Sequence, residues 1–74
     1  MSFAFEITPD DIKNVFDKHF QKVDIKYATN VFNTYIAPEI DRIEKAALCG
    51  DDLAEQTKFA YDTIADILRE NGVL

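Results

Sequence analysis

His19 and Cys49 are the only residues of their types in the chain, and nucleophilic or general-base chemistry near neutral pH would have to start from them. A cysteine nucleophile needs a base within hydrogen-bond reach and a third group to orient that base. One residue of each type on separate segments makes no such constellation. His19 falls between Phe16 and Phe20 on the apolar side of a helical stripe, which is the place of an amphipathic side chain at a core margin. Cys49 falls near a helix C-terminus, whose negative dipole end disfavours a thiolate, so it reads as a semi-buried structural thiol. With no second cysteine it cannot form a disulfide within the chain, and a reducing compartment is expected.

The carboxylates give no better start for a metal site. Asp10-Asp11 and Asp51-Asp52 stand where helix starts favour acids, so capping explains them without a ligand. The stretch Ile12 to Phe20 has the apolar spacing of a calcium hand's entering helix, but Gln21-Lys22-Val23-Asp24-Ile25 is not an oxygen-rich loop with a central glycine. The two glycines, Gly50 and Gly72, are isolated, so no phosphate-cradling loop exists. Neither an enzyme nor a cofactor or metal site is expected.

Charge narrows the partners. Fourteen acidic against eight basic residues leave a formal net charge of −6, within the ordinary range for a small soluble domain. Lys13, Lys18, Lys22 and Lys26 are the nearest approach to a basic stripe, but they spread over two faces among Asp17 and Asp24, so direct nucleic-acid binding is not expected. The opposite idea, acids imitating a phosphate backbone, has Asp62, Asp66 and Glu70 at i,i+4 spacing with Asp51, Asp52 and Glu55 upstream. Such like-charge pairs cost a few tenths of a kcal/mol each, and Lys58 and Arg69 partly compensate, so a DNA-mimic inhibitor is the minor alternative.

These side chains must be placed by a single domain, since 74 residues leave no room for a second. A fold of this size buries only about 60% of the surface of its unfolded chain, and domains of that kind commonly lean on a partner. No apolar run approaches the roughly 18 residues of a membrane span, and MSFAFEITPDD has no secretory pattern, so a cytoplasmic protein without membrane contact is expected.

Glycine and proline punctuate the chain at four points only, and the spacing predicts an all-α fold. Residues 1–7, with Phe3, Phe5 and Ile7 at alternate positions, read as an extended arm. Thr8 caps and Pro9 opens a helix over 8–21, with Ile7 and Ile12 spaced as a hydrophobic staple and the stripe Ile12, Val15, Phe16, His19, Phe20 and Val23 on one face. Asp24 caps a second helix over 24–49, interrupted by Pro38 and closed by Gly50 as a terminal glycine. Splitting it at Pro38 would leave Ala37 as a poor cap, which favours one helix kinked near Pro38. A third helix covers 52–71, with Asp52 and Glu55 spaced as a capping box and Gly72 as its C-terminal glycine, bringing Val73 onto Leu68. The short Gly50-Asp51 connection makes helices two and three an antiparallel hairpin, with the short first helix packed across it.

Two surfaces remain unspoken for. On helix three, Leu53, Ala54, Thr57, Ala60, Tyr61, Ile64, Ala65, Ile67 and Leu68 form the apolar arc, and Phe59 falls on the other side among Glu55, Asp62, Asp66 and Glu70. That pattern suits docking onto a partner protein with a basic patch and an apolar pocket, as a regulator or inhibitor would. On helix two, Ile25, Ala28, Phe32 and Ile36 make a stripe that Tyr27, Val31 and Tyr35 widen to about half the circumference. Helix one covers this flank in the simpler reading. In the alternative it joins the Phe3 and Phe5 arm as the interface of a homodimer or higher oligomer.

Overall fold

The computed structural model describes residues 7–74, so the expected arm with Phe3 and Phe5 lies, apart from Ile7, outside the described residues. The described chain is all-helical. Helix α1 (Pro9–Lys18) starts as its residues dictate: the Thr8 N–H donates to the Asp11 carboxylate at 2.8 Å, and the staple pair Ile7 and Ile12 is buried. It ends three residues before the expected boundary. The Gln21 N–H reaches the Phe16 carbonyl at 2.9 Å and the Phe20 N–H the Asp17 carbonyl at 3.0 Å, a Schellman turn whose left-handed position is held by Phe20 at φ 61°. The reversal takes Phe20 off the apolar stripe on which its spacing placed it, and its side chain is 98% exposed.

The second long helix is one path assembled from pieces: α2 (Ile25–Val31), a π-turn (Phe32–Ile36), a short 3-10 turn (Ala37–Glu39) and α3 (Ile40–Ala47). Asp24 caps it by accepting the Tyr27 N–H at 2.8 Å. The interruption has a local cause. Pro38 offers no N–H and its ring would strike the carbonyl four residues back in a regular helix. The turn before it widens, with the Ala37 N–H bonding to the Phe32 carbonyl five residues earlier. Helical direction therefore survives the proline, as the kinked reading requires. The extra residue sets which side chains face inward beyond it, so that Ala28, Val31, Ile36, Ile43 and Ala47 are buried; Ile25, at the first position of α2, is 48% exposed instead of belonging to the stripe.

Helix α4 (Leu53–Glu70) returns antiparallel to α3 and contributes Ala60, Ile64, Ala65, Ile67 and Leu68 to the core. Leu53 in its first turn is exposed, as is Leu48 at the end of α3. Asp52 accepts the Glu55 N–H at 2.9 Å, but the Glu55 carboxylate reaches back to the Asp51 N–H at 2.8 Å, one residue earlier than a capping box would. The far end closes as expected: Gly72 at φ 73° forms a Schellman turn in which the Val73 N–H bonds to the Leu68 carbonyl at 2.8 Å. Gly50 serves differently from a terminal left-handed glycine. It needs no positive φ, but a Cβ there would lie 2.6 Å from the Gln56 nitrogen, so it is the close approach of the junction to α4 that requires glycine. Cys49 is exposed, not semi-buried, because α3 has already ended at this junction.

Helix α1 crosses the hairpin against α2 and α4. Phe16 is its buried anchor, with its ring 5.9 Å from that of Tyr27. Tyr61 on α4 ties the crossing from the polar side, donating its hydroxyl to Asp11 and receiving the Asn14 amide at 3.4 Å, with the Lys18 ammonium 5.0 Å from its ring centroid. Burial first, and then the hydrogen bond to Asp11, raise the Tyr61 phenol above its ordinary pKa.

Candidate protein interface

The acidic face of α4 is built as its spacing predicts, with Glu55, Asp62, Asp66 and Glu70 all exposed. Each acid, however, already has a neighbour. Lys58 reaches Asp62 at 3.2 Å, Arg69 reaches Asp66 at 3.4 Å, and Glu55 holds the Asp51 N–H. Glu70 receives both ends of the Arg42 guanidinium at 3.0 and 2.8 Å, and Arg42 also contacts Glu39 at 3.3 Å. The pairing with Arg42 lowers the Glu70 carboxyl from its ordinary pKa, and Glu70, followed by Glu39, raises the guanidinium further. Phe59 is half-buried, outside the core, with the Lys58 ammonium 5.6 Å from its ring centroid. The face thus offers neither a free aromatic anchor nor unpaired carboxylates.

The tyrosine flank of the second helix has a different shape from the expected continuous apolar stripe. Tyr27 is 47% exposed and Tyr35 half-buried, while Val31 is 4% exposed and is covered within the chain. Tyr27, Val31 and Tyr35 nevertheless come together with Asn30, Thr34 and Val73 around a depression of about 330 Å³. A second depression of about 340 Å³ adjoins it, lined by Thr34, Tyr35, Pro38 and Glu39 on one side and Ile67, Glu70 and Asn71 on the other. Thr34 and Tyr35 line both, and the two open depressions on either hand of these residues together make up the groove along the π-turn.

Three local features position that groove. The π-turn forced by Pro38 carries Thr34 and Tyr35, the Arg42 fork on Glu70 fixes the end of α4 against the start of α3, and the Gly72 turn brings Val73 back as the opposite wall. The sequence marks only a disturbance at Pro38; the π-turn itself is seen in the five-residue step from Val31 to Ile36 between buried positions, since a regular helix repeats its face every three or four.

His19 is half-buried and separate from exposed Cys49 in sequence and element. Among the described residues, no three His, Cys, Asp or Glu side chains converge as metal ligands would, and no helix is long and apolar enough to cross a membrane. Comparison of the chain with protein-family models, with curated proteins and with solved structures gives no match in any of the three.

Proposed function

We propose that this chain is a non-enzymatic protein-interaction domain whose docking surface is the groove beside the π-turn. The observation that carries the reading is the π-turn itself. With the 3-10 turn that follows it, it is the departure from regular α-helical winding within a helix among the described residues, and beside it lies a concave surface with an aromatic wall at Tyr35. Such turns recur at functional sites, and tyrosine suits an interface because its ring is apolar and its hydroxyl hydrogen-bonds. The acidic face of α4 supports docking onto a basic partner less well, because Lys58 and Arg69 already engage Asp62 and Asp66 and Glu55 holds the Asp51 N–H, while Glu70 at its end shares the single Arg42 guanidinium with Glu39 and the three keep one net negative charge. The same internal pairing reduces the free charge that a DNA mimic would display.

The test is recovery of partner proteins from the native cell extract with paired variants. Tyr35→Ala and Thr34→Arg are expected to lose a partner that Phe59→Ala combined with Asp62→Lys retains. Loss confined to the Phe59 and Asp62 variant would transfer the function to the α4 face.

A further inference from the structure

The turn that ends α1 holds the sharpest conflict between side chain and backbone in the described chain. Phe20 is its only non-glycine residue at positive φ, whereas glycine fills the equivalent place after α4. A Cβ is disfavoured in this conformation, and a ring that is 98% exposed recovers nothing from the core. Neither the backbone nor the packing of the fold accounts for phenylalanine here, and strain that persists without an internal reason points to a role at the surface.

The surroundings give that surface a charge. From Lys18 to Lys26 three lysines stand against Asp24, a net charge of +2, while the remainder of the chain carries −8. Among the described residues none of these lysines is in an ion pair. Exposed Ile25 and Tyr27 follow in the first turn of α2, and Tyr27 is already a wall of the groove. The groove's other end carries Glu39 and Glu70, two carboxylates for the single guanidinium of Arg42. An aromatic projection with basic neighbours and a concavity with an aromatic wall and a net negative end therefore lie on consecutive elements of one molecule, with opposite charge.

We propose that the occupant of the groove is a second copy of this chain, whose Phe20 enters beside Tyr35 while Lys22 and Lys26 face Glu39 and Glu70. The proposal rests on the groove being the docking surface. It also answers the limited burial available to a 74-residue domain, for which association is a common remedy.

Sedimentation velocity of the full chain from micromolar to millimolar concentration, at low and high salt, tests it. The wild type is expected to associate as concentration rises, and less so in high salt. Phe20→Gly is expected to weaken association by at least about tenfold while raising the thermal midpoint of the dilute monomer, a pairing that a purely structural residue would not give. Thr34→Arg, which fills the groove and keeps Phe20, is expected to be monomeric alone. An equimolar mixture of the two variants is expected to restore a one-to-one complex, because one retains the groove and the other the projection. A wild type that stays monomeric throughout, unchanged association of Phe20→Gly, or a mixture that stays monomeric overturns the proposal. If the wild type is monomeric but Tyr35→Ala still loses a recovered partner, the groove stands and only the second copy falls. If Tyr35→Ala alters neither readout, both fall.

Discussion

Replacing Phe20 with glycine should stabilise the monomer, although it deletes the largest side chain in its segment. The left-handed conformation costs an L-residue with a Cβ about 1–2 kcal/mol, and glycine removes that cost. Against it stands the greater freedom that glycine gives the unfolded chain, about 0.4–1 kcal/mol. The third contribution, lost burial, is close to nil because the ring is 98% exposed. The balance spans about 0–1.6 kcal/mol, centred near a gain of about 0.8 kcal/mol, which in a domain of this size raises Tm by about 3–6 °C. Gly72→Ala provides the mirror experiment: φ is 73° and a Cβ would meet nothing within 4 Å, so strain and chain entropy are again the only terms, with signs reversed. Alanine there should lower stability by about the same 0.8 kcal/mol. Thermal unfolding followed by circular dichroism at low micromolar concentration isolates these effects from association, which would otherwise stabilise the wild type by mass action. A Phe20→Gly midpoint at or below that of wild type would mean that the ring is held by contacts in the monomer, and the strain reasoning would fail.

Tyr61→Phe removes the hydroxyl that joins α4 to Asp11 and Asn14, and should destabilise by about 1 kcal/mol in urea unfolding. The Tyr61 phenol has a raised folded pKa, so its contribution is whole below its unfolded pKa and is lost as pH rises through the folded value; the alkaline limb of the stability profile should flatten in the phenylalanine variant. Gly50→Ala places a methyl 2.6 Å from the Gln56 nitrogen and must shift backbone, a loss of about 1–3 kcal/mol measurable in the same way. Arg42→Gln should return the Glu70 carboxyl toward its ordinary pKa in an NMR titration. Because that folded pKa is depressed, whatever the pair contributes is present above the unfolded pKa and is lost as pH falls through the folded one, so the variant's acid limb should be the shallower.

Where a residue acts through its own backbone, the sequence was a good guide. Asp24 and Asp52 mark helix starts because a side-chain oxygen at that place meets an orphan N–H, Thr8 marks one through the Asp11 carboxylate that accepts its N–H, and Gly72 with Val73 marks an end because glycine closes a Schellman turn without a Cβ penalty. The antiparallel hairpin followed from a connection too short for any other path. What escaped were features decided by the rest of the molecule. Phe20 has the periodicity of a core residue, and no local rule places phenylalanine in a left-handed turn. The π-turn was legible as a disturbance at Pro38, but its widened register showed only in which residues are buried. Of the expected interface, Tyr27, Val31 and Tyr35 do share one concave surface, although Val31 lies at its covered floor. Phe59 was placed outside the core correctly, but its half-burial depends on neighbours that helical periodicity does not include.

The π-turn also has a meaning for the chain's history and its tolerance of length change. The buried positions of the second helix step by three, five, seven and four residues, and only the five departs from ordinary α-helical repeats. Deleting a single residue between Phe32 and Ile36, together with Pro38→Ala to remove the ring that a regular helix cannot hold, would turn that five into a four, leaving a plain helical stripe with every later residue in its present phase. The core would therefore survive a deletion that in most helices would rotate half the structure out of register. The groove would not, since it exists by virtue of the extra residue. Within this fold the widened turn, the proline after it and the concavity beside it stand or fall together.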